Sequence, residues 1–399
     1  MSKFCAAPFN SLVINPNGSA APCCKYNLHN SDKDIQKENI RTKNIQELFD
    51  QPAIETLRQQ FLNGEQPKGC SVCWDEEAVG IKSLRMMKTC WPRYSNLLNA
   101  GSNGKECIDQ QITQLDFKFS TLCNLKCRIC GPYCSSHWLK ESEETNEFDE
   151  YAISEFSKYA ERKVSQENYD IFDNLLDGLT DIEFTGGEPF MQPEHDKILD
   201  IINSSSKNIS KLNIKYNTNG TIYNEKYINV WNKLNRVTIN FSIDDIGERF
   251  EYQRYPAKWD IVVENLRKYK EATDSKKINI IVYITVSLYN IFYLDELISF
   301  SKENFRLPIV LNLVHFPKKM SIQHLSSEMK KIVIEKINKI NWKDIKVLDN
   351  GIKTISDFMM ESEGNGLQDF IDVTKLHDKY RNQSFEKTFP EYWNMINDN

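Results

Sequence analysis

From about residue 113 to residue 316 the chain alternates strand-type and helix-type stretches, and this alternation limits the fold more than any other feature. Leu115, Phe117 and Phe119 alternate with Asp116 and Lys118, the period of a strand. Residues 181–185, 211–216, 236–243, 278–286 and 308–314 supply five more strand patterns. Helical patterns separate them, at residues 169–179, 195–203, 225–234, 259–272 and 294–303. Six strand–helix units in series predict an α/β fold with a parallel sheet and right-handed crossovers. In such sheets ligands gather at the carboxyl ends of the strands.

The flanks read differently. In residues 1–110, Ser11 to Ile14 is a short strand and Asn15-Pro16-Asn17-Gly18 is a turn. Ser19 to Pro22 then leads back to Cys23, which predicts a small Cys-rich hairpin-and-helix domain with a helix over residues 53–62. Phe4, Phe9 and Trp74 are expected to form its core. Residues 111–320 are the expected central domain, and residues 321–399 a polar helical C-terminal extension broken at Asn350-Gly351 and at residues 363–366. The acidic stretch 141–150 reads as a solvated loop or helix face, with a lid as the alternative.

Composition narrows the function. The net charge is −6, from 50 basic and 56 acidic residues without blocks of either sign, so there is no strong nucleic-acid-binding signal. No apolar run has membrane-spanning length, and the start lacks a signal-peptide core, so a soluble cytoplasmic protein without a membrane partner is expected.

In a reducing compartment, clustered cysteines more often bind metal or perform chemistry than form disulfides. Nine of the 11 cysteines fall into two groups, 5/23/24/70/73 and 123/127/130/134. Cys90 and Cys107 stand apart and read as small buried side chains. Cys123, Cys127 and Cys130 place three thiols within eight residues, just after the first strand. Three thiolates on a four-iron cubane leave one iron open to a ligand, whereas a fourth would close it for electron transfer. A zinc site is one alternative, although no second C-x2-C pair lies nearby. A closed ferredoxin-type cluster with Cys134 is another, although the first gap is three residues and Ser135 follows.

A C-x3-C-x2-C run at the end of a first strand, in a series of strand–helix units, resembles the radical S-adenosylmethionine (SAM) superfamily, over about residues 113–316. Thr185-Gly186-Gly187-Glu188-Pro189 ends the second strand and resembles the family's motif for the methionine amino group. The resemblance implies a partial (β/α)6 TIM-like barrel. It also implies that Gly186, Gly187 and Glu188 bind SAM. Ser242 at the fourth strand's end and Arg254 would meet the ribose or the methionine carboxylate, an Arg fork suiting a carboxylate; a surface ion pair is the other reading of Arg254. Asn219 resembles a polar residue near the cofactor, or serves only its turn, and Ile129 would lie by the adenine. The implied activity is reductive cleavage of SAM to methionine and a 5′-deoxyadenosyl radical, which takes a substrate hydrogen. The electron would come from a donor such as flavodoxin or ferredoxin, and the cofactors would carry the difficult chemistry.

Cys5, Gly18, Cys23 and the pair Cys70/Cys73 resemble the auxiliary-cluster domains called SPASM and twitch, here preceding the barrel rather than following it. The resemblance implies a second [4Fe–4S] cluster on Cys5, Cys23, Cys70 and Cys73, acting as an electron conduit. Cys24 is the alternative to Cys23, and a four-thiolate zinc ribbon the alternative to the cluster. His137, His195 and His315 read as structural histidines. Three functions are carried forward: an enzyme acting on a small or modified molecule (a sugar, nucleotide or modified base), a peptide-modifying maturase, and a non-catalytic iron–sulfur or zinc protein. A ligand cysteine at residue 5 leaves no room before it for the small peptide-binding module that many peptide-modifying relatives carry.

Overall fold

A computed structural model describes residues 3–27, 38–78, 83–89, 110–160, 164–272, 277–340, 342, 351–362 and 366–397. Cys90, Cys107 and most of the two C-terminal breaks lie outside these residues. Eight strands follow one another as β2-β1-β3-β4-β5-β6-β7-β8. They are β1 (Ser11–Ile14), β2 (Ala20–Ala21), β3 (Gln114–Phe117), β4 (Asp181–Phe184), β5 (Asn213–Thr218), β6 (Arg236–Ser242), β7 (Ile278–Val286) and β8 (Ile309–Leu313). The order has two ends, so among the described residues the sheet does not close on itself. All six strands expected in the central region form. The fold is α/β and mostly parallel.

Two compact units share the chain. The first comprises Met1–Thr121, Lys158–Tyr216 and Asn229–Val237. Its strands β1, β3, β4 and β5 pair in parallel, and β2 pairs antiparallel with β1 as the expected hairpin. The turn is closed by Gly18 at φ 80°, a left-handed conformation that glycine adopts without Cβ strain. Joining β1 to β3 was not legible as a hairpin property. All four residues of β1 are buried, as in a strand covered on both faces. In-register Phe117, Phe184 and Tyr216 stack with ring centroids 5.9 and 5.3 Å apart. Phe117 and Phe184 are the last residues of β3 and β4, so this row lies just before the motif Thr185–Pro189.

The second unit comprises Leu122–Ser157, Asn217–Ile228 and Thr238–Asn399. Here β7 and β8 run parallel, and alternate β7 residues from Ile278 to Val286 are buried. Helix Trp259–Ala272 buries Val262, Val263, Leu266 and Tyr269, a helical stripe. Helix Leu367–Arg381 buries Phe370, Val373, Thr374, His377 and Arg381.

The acidic stretch 141–150 is solvated as expected at Glu143, Glu144, Asp149 and Glu150, and departs from that reading at Glu141 and Glu147. Glu141 is fully buried and takes Arg381 Nε at 2.8 Å and Lys126 Nζ at 2.7 Å. Glu147 pairs with Lys319 and with His377 Nε2, the latter at 3.1 Å. Apart from Lys126, these partners lie at least 172 positions away in sequence. The distant partners were therefore invisible to a local reading of charge.

Candidate metal centres

The loop after β3 turns through Cys123, Cys127 and Cys130. Cys123 and Cys127 are buried and Cys130 half-buried. The loop is held along its backbone: Lys126 N donates to Tyr255 O and Arg128 N to Gln253 O, each at 2.8 Å. Trp138 Nε1 donates to Cys127 O at 3.1 Å, and Cys130 N to the same carbonyl at 2.9 Å. Arg128 is buried within the loop. Its guanidinium lies 3.7 Å from the Tyr252 ring centroid and bonds to Asp378, Gln383 Oε1 and the Thr374 carbonyl.

Donors point at the thiols. Leu125 N lies 3.4 Å from Cys123 Sγ, Asn219 Nδ2 lies 3.8 Å from it, and Arg254 Nη1 lies 3.9 Å from Cys127 Sγ. Bonds of this kind favour the thiolate. The Cys127 thiol is pushed below its ordinary range by the hydrogen bond from Cys130, with Arg254 also acting in that direction against burial. Such a donor set suits an anionic group held by three thiolates. Cys134 is exposed.

Arg254 is the ion-pair member that the sequence allowed, but a buried one: Nη2 lies 2.6 Å from Asp244 Oδ2. Asp244 Oδ1 also accepts Thr285 N at 2.8 Å. Asn219 serves its turn as well as Cys123, because its Oδ1 accepts from Thr221 N and Oγ1. Ser242 ends β6 half-buried, and Ile129 is half-buried beside Cys130. Sequence reasoning missed Asp244 and Trp138. Asp244 had a signal: it is a charged residue two positions after the end of β6.

In the other unit, Gly186 has φ 98°, and a Cβ there would sit 3.1 Å from Lys118 Cα and Ser120 O. Gly187 N donates to Ser120 O at 3.1 Å, and Thr185 Oγ1 to Asp116 Oδ1 at 3.1 Å. Glu188 is fully buried and accepts Phe190 N at 3.2 Å. His195 is structural as expected, with Nε2 3.2 Å from the Tyr216 hydroxyl. His137 is exposed, and the His315 ring packs on Phe358.

The N-terminal cysteines come together. Cys5, Cys23, Cys70 and Cys73 line one cavity with Lys25, Tyr26, Phe61 and Arg85. Cys24 is exposed. Burial pushes the Cys70 thiol far up, and the neighbouring thiols of Cys5, Cys23 and Cys73 add to it. Four thiols facing one cavity match the ligand set of a four-iron cubane. Phe4 and Phe9 stack at 5.4 Å, and Trp74 packs against the same core, as expected.

Comparisons with known proteins match two regions of the chain. The sequence pattern of the radical SAM superfamily matches residues 117–289, and that of SPASM, an iron–sulfur cluster-binding domain, matches residues 5–74. No curated protein matches the chain. Among solved structures, anSMEcpe with bound AdoMet is 15% identical with a TM-score of 0.40, covering 58% of this chain and 60% of its own. SuiB of Streptococcus suis bound to precursor peptide SuiA is 12% identical with a TM-score of 0.39, covering 72% and 58%. This chain thus spans about 60% of the length of those structures. The three-thiol loop, the Thr185–Pro189 motif and the four-thiol cavity fall within the matched regions, apart from Leu84 and Arg85 of the cavity wall. The chain thus carries a radical SAM domain, whose cofactors are a [4Fe–4S] cluster and SAM, and a SPASM-type auxiliary iron–sulfur domain at its N-terminal end.

Proposed function

We propose that this protein cleaves SAM reductively and removes a hydrogen atom from an organic substrate. When bound, the cluster and SAM supply the one-electron chemistry, yielding methionine and a 5′-deoxyadenosyl radical. The observation that carries the reading is the loop thiol set. Leu125 and Asn219 donate to Cys123 and Arg254 to Cys127, Cys130 lies on the same loop, and the fourth cysteine of the run is exposed.

In this reading the three thiolates hold the cluster and leave one iron for SAM. Glu188 and the backbone at Gly186 and Gly187 take the methionine amino group; the positive φ of Gly186 supports a close backbone approach. Arg254 takes the methionine carboxylate through Nε, which is buried and has no hydrogen-bond partner among the described residues. Ser242 meets the ribose and Ile129 the adenine. Cys5, Cys23, Cys70 and Cys73 hold the auxiliary cluster as a conduit for electrons from a flavodoxin or ferredoxin. The substrate in our reading is a small or modified molecule, such as a sugar, nucleotide or modified base.

Anaerobic reconstitution tests the proposal. The expected result is about eight irons per chain, two four-iron cubanes, with SAM-dependent 5′-deoxyadenosine formation under dithionite. Four or fewer irons, or no deoxyadenosine, would overturn it. Cys127→Ala abolishes cleavage, whereas Cys70→Ala retains some cleavage and loses substrate turnover. Deuterium transfer into 5′-deoxyadenosine from labelled metabolites, against labelled peptides, identifies the substrate class.

A further inference from the structure

The wall of the N-terminal thiol cavity contains a cation that lies beyond the matched iron–sulfur region. Arg85, in helix Leu84–Thr89, is 5% exposed and lines the cavity with Cys5, Cys23, Cys70 and Cys73. Its position is fixed from several sides. Nη1 donates to the carbonyl of Phe4, the residue before Cys5, at 2.7 Å. Nε donates to Glu77 Oε1 at 2.9 Å, and Nη2 pairs with Glu77 Oε2. The Ser83 hydroxyl bonds to the same carboxylate, and the guanidinium lies 4.5 Å from the Trp74 ring centroid. A free surface arginine would be screened by water, whereas a buried one acts on its neighbours through a lower dielectric.

A cubane with four thiolate ligands is an anion, and one-electron reduction adds a further negative charge. Its potential responds to net charge, hydrogen bonds and exposure. A fixed cation in the cavity wall therefore favours the reduced state, and the carboxylate that partly neutralises this cation opposes it. We propose that Arg85 and Glu77 form a charge pair that positions the Cys5 segment and sets the reduction potential of the auxiliary cluster, Arg85 raising it and Glu77 lowering it. The inference rests on reading the cavity as a [4Fe–4S] site.

The test is a redox titration of the reconstituted full chain, with dithionite as reductant, followed by electron paramagnetic resonance. The auxiliary signal is the one that added SAM does not perturb. Arg85→Gln is expected to lower its reduced-to-oxidised ratio at least tenfold at a fixed potential, a 59 mV shift for a one-electron couple. Arg85→Lys gives a smaller shift in the same direction, and Glu77→Gln a shift in the opposite direction. The SAM-sensitive signal stays where it is in all three. Ratios within threefold of wild type in both Arg85→Gln and Glu77→Gln would overturn the proposal. Where Arg85→Gln fails to hold the cluster, Glu77→Gln decides, an upward shift supporting the pair and no shift overturning it. A wild-type protein without any SAM-insensitive iron–sulfur signal would instead overturn the reading of the cavity itself.

Discussion

Arg254 sits between Asp244 and Cys127, with Nη2 2.6 Å from the Asp244 carboxylate and Nη1 3.9 Å from the Cys127 sulfur. One buried cation thus balances a buried carboxylate while facing a thiol of the cluster loop. Two charges out of water are tolerable only as a bonded pair.

Breaking that pair is therefore costly. Asp244→Asn and Arg254→Gln are each expected to lower unfolding stability by about 3–5 kcal/mol, the range for stranding one member of a buried pair. Urea unfolding of the two single variants and the double variant measures the coupling. A double variant as unstable as the sum of the singles would refute it.

Arg128 ties the same loop to helix Leu367–Arg381. Arg128→Ala leaves Asp378 with only the Tyr252 hydroxyl at 2.6 Å and the Phe385 amide at 2.6 Å. A loss of about 3–5 kcal/mol is expected, accompanied by fewer irons on reconstitution. Arg128→Lys recovers only part of this, because an ammonium has no planar fork to share among Asp378, Gln383 and the Tyr252 face. Full recovery with lysine would show that charge alone matters.

At Gly186 the added methyl group of alanine meets backbone rather than a movable side chain. The left-handed φ adds strain of about 1–3 kcal/mol. Gly186→Ala should lower the unfolding free energy measured in urea by that amount and weaken SAM binding measured by equilibrium dialysis. Unchanged SAM affinity would remove the motif from the cofactor site.

Glu147 makes a pH prediction. Burial alone would raise its carboxyl, but bonds from His377 and Lys319 outweigh burial and bring it down to about 2. A depressed carboxyl contributes stability that is present above its unfolded value of 4.5 and is lost as pH falls from there toward about 2. Glu147→Gln should flatten the stability profile across that interval, followed by urea unfolding at stepped pH. A parallel loss in wild type and variant would exclude Glu147 as the cause.

The strands, the two cysteine groups and the Gly186-Gly187-Glu188 turn were legible because each depends on short-range pattern. Alternation with period two marks β3 and β7, and three thiols within eight residues must share a loop. The spacing from Gly18 favoured Cys23 over Cys24 without excluding Cys24. Adjacent residues point in different directions, and only the fold turns Cys23 into the cavity and leaves Cys24 exposed.

By itself, the sequence determined the parallel α/β fold, the three-thiol loop and the four-cysteine signature. Tertiary structure alone decided which distant charges meet: Arg254 with Asp244 and Cys127, Arg128 with Asp378, Glu141 with Arg381, and Arg85 with the N-terminal thiols. Local spacing cannot encode such pairs. A buried charge needs a compensating partner wherever the chain can bring one, and only the folded packing shows which residue answers.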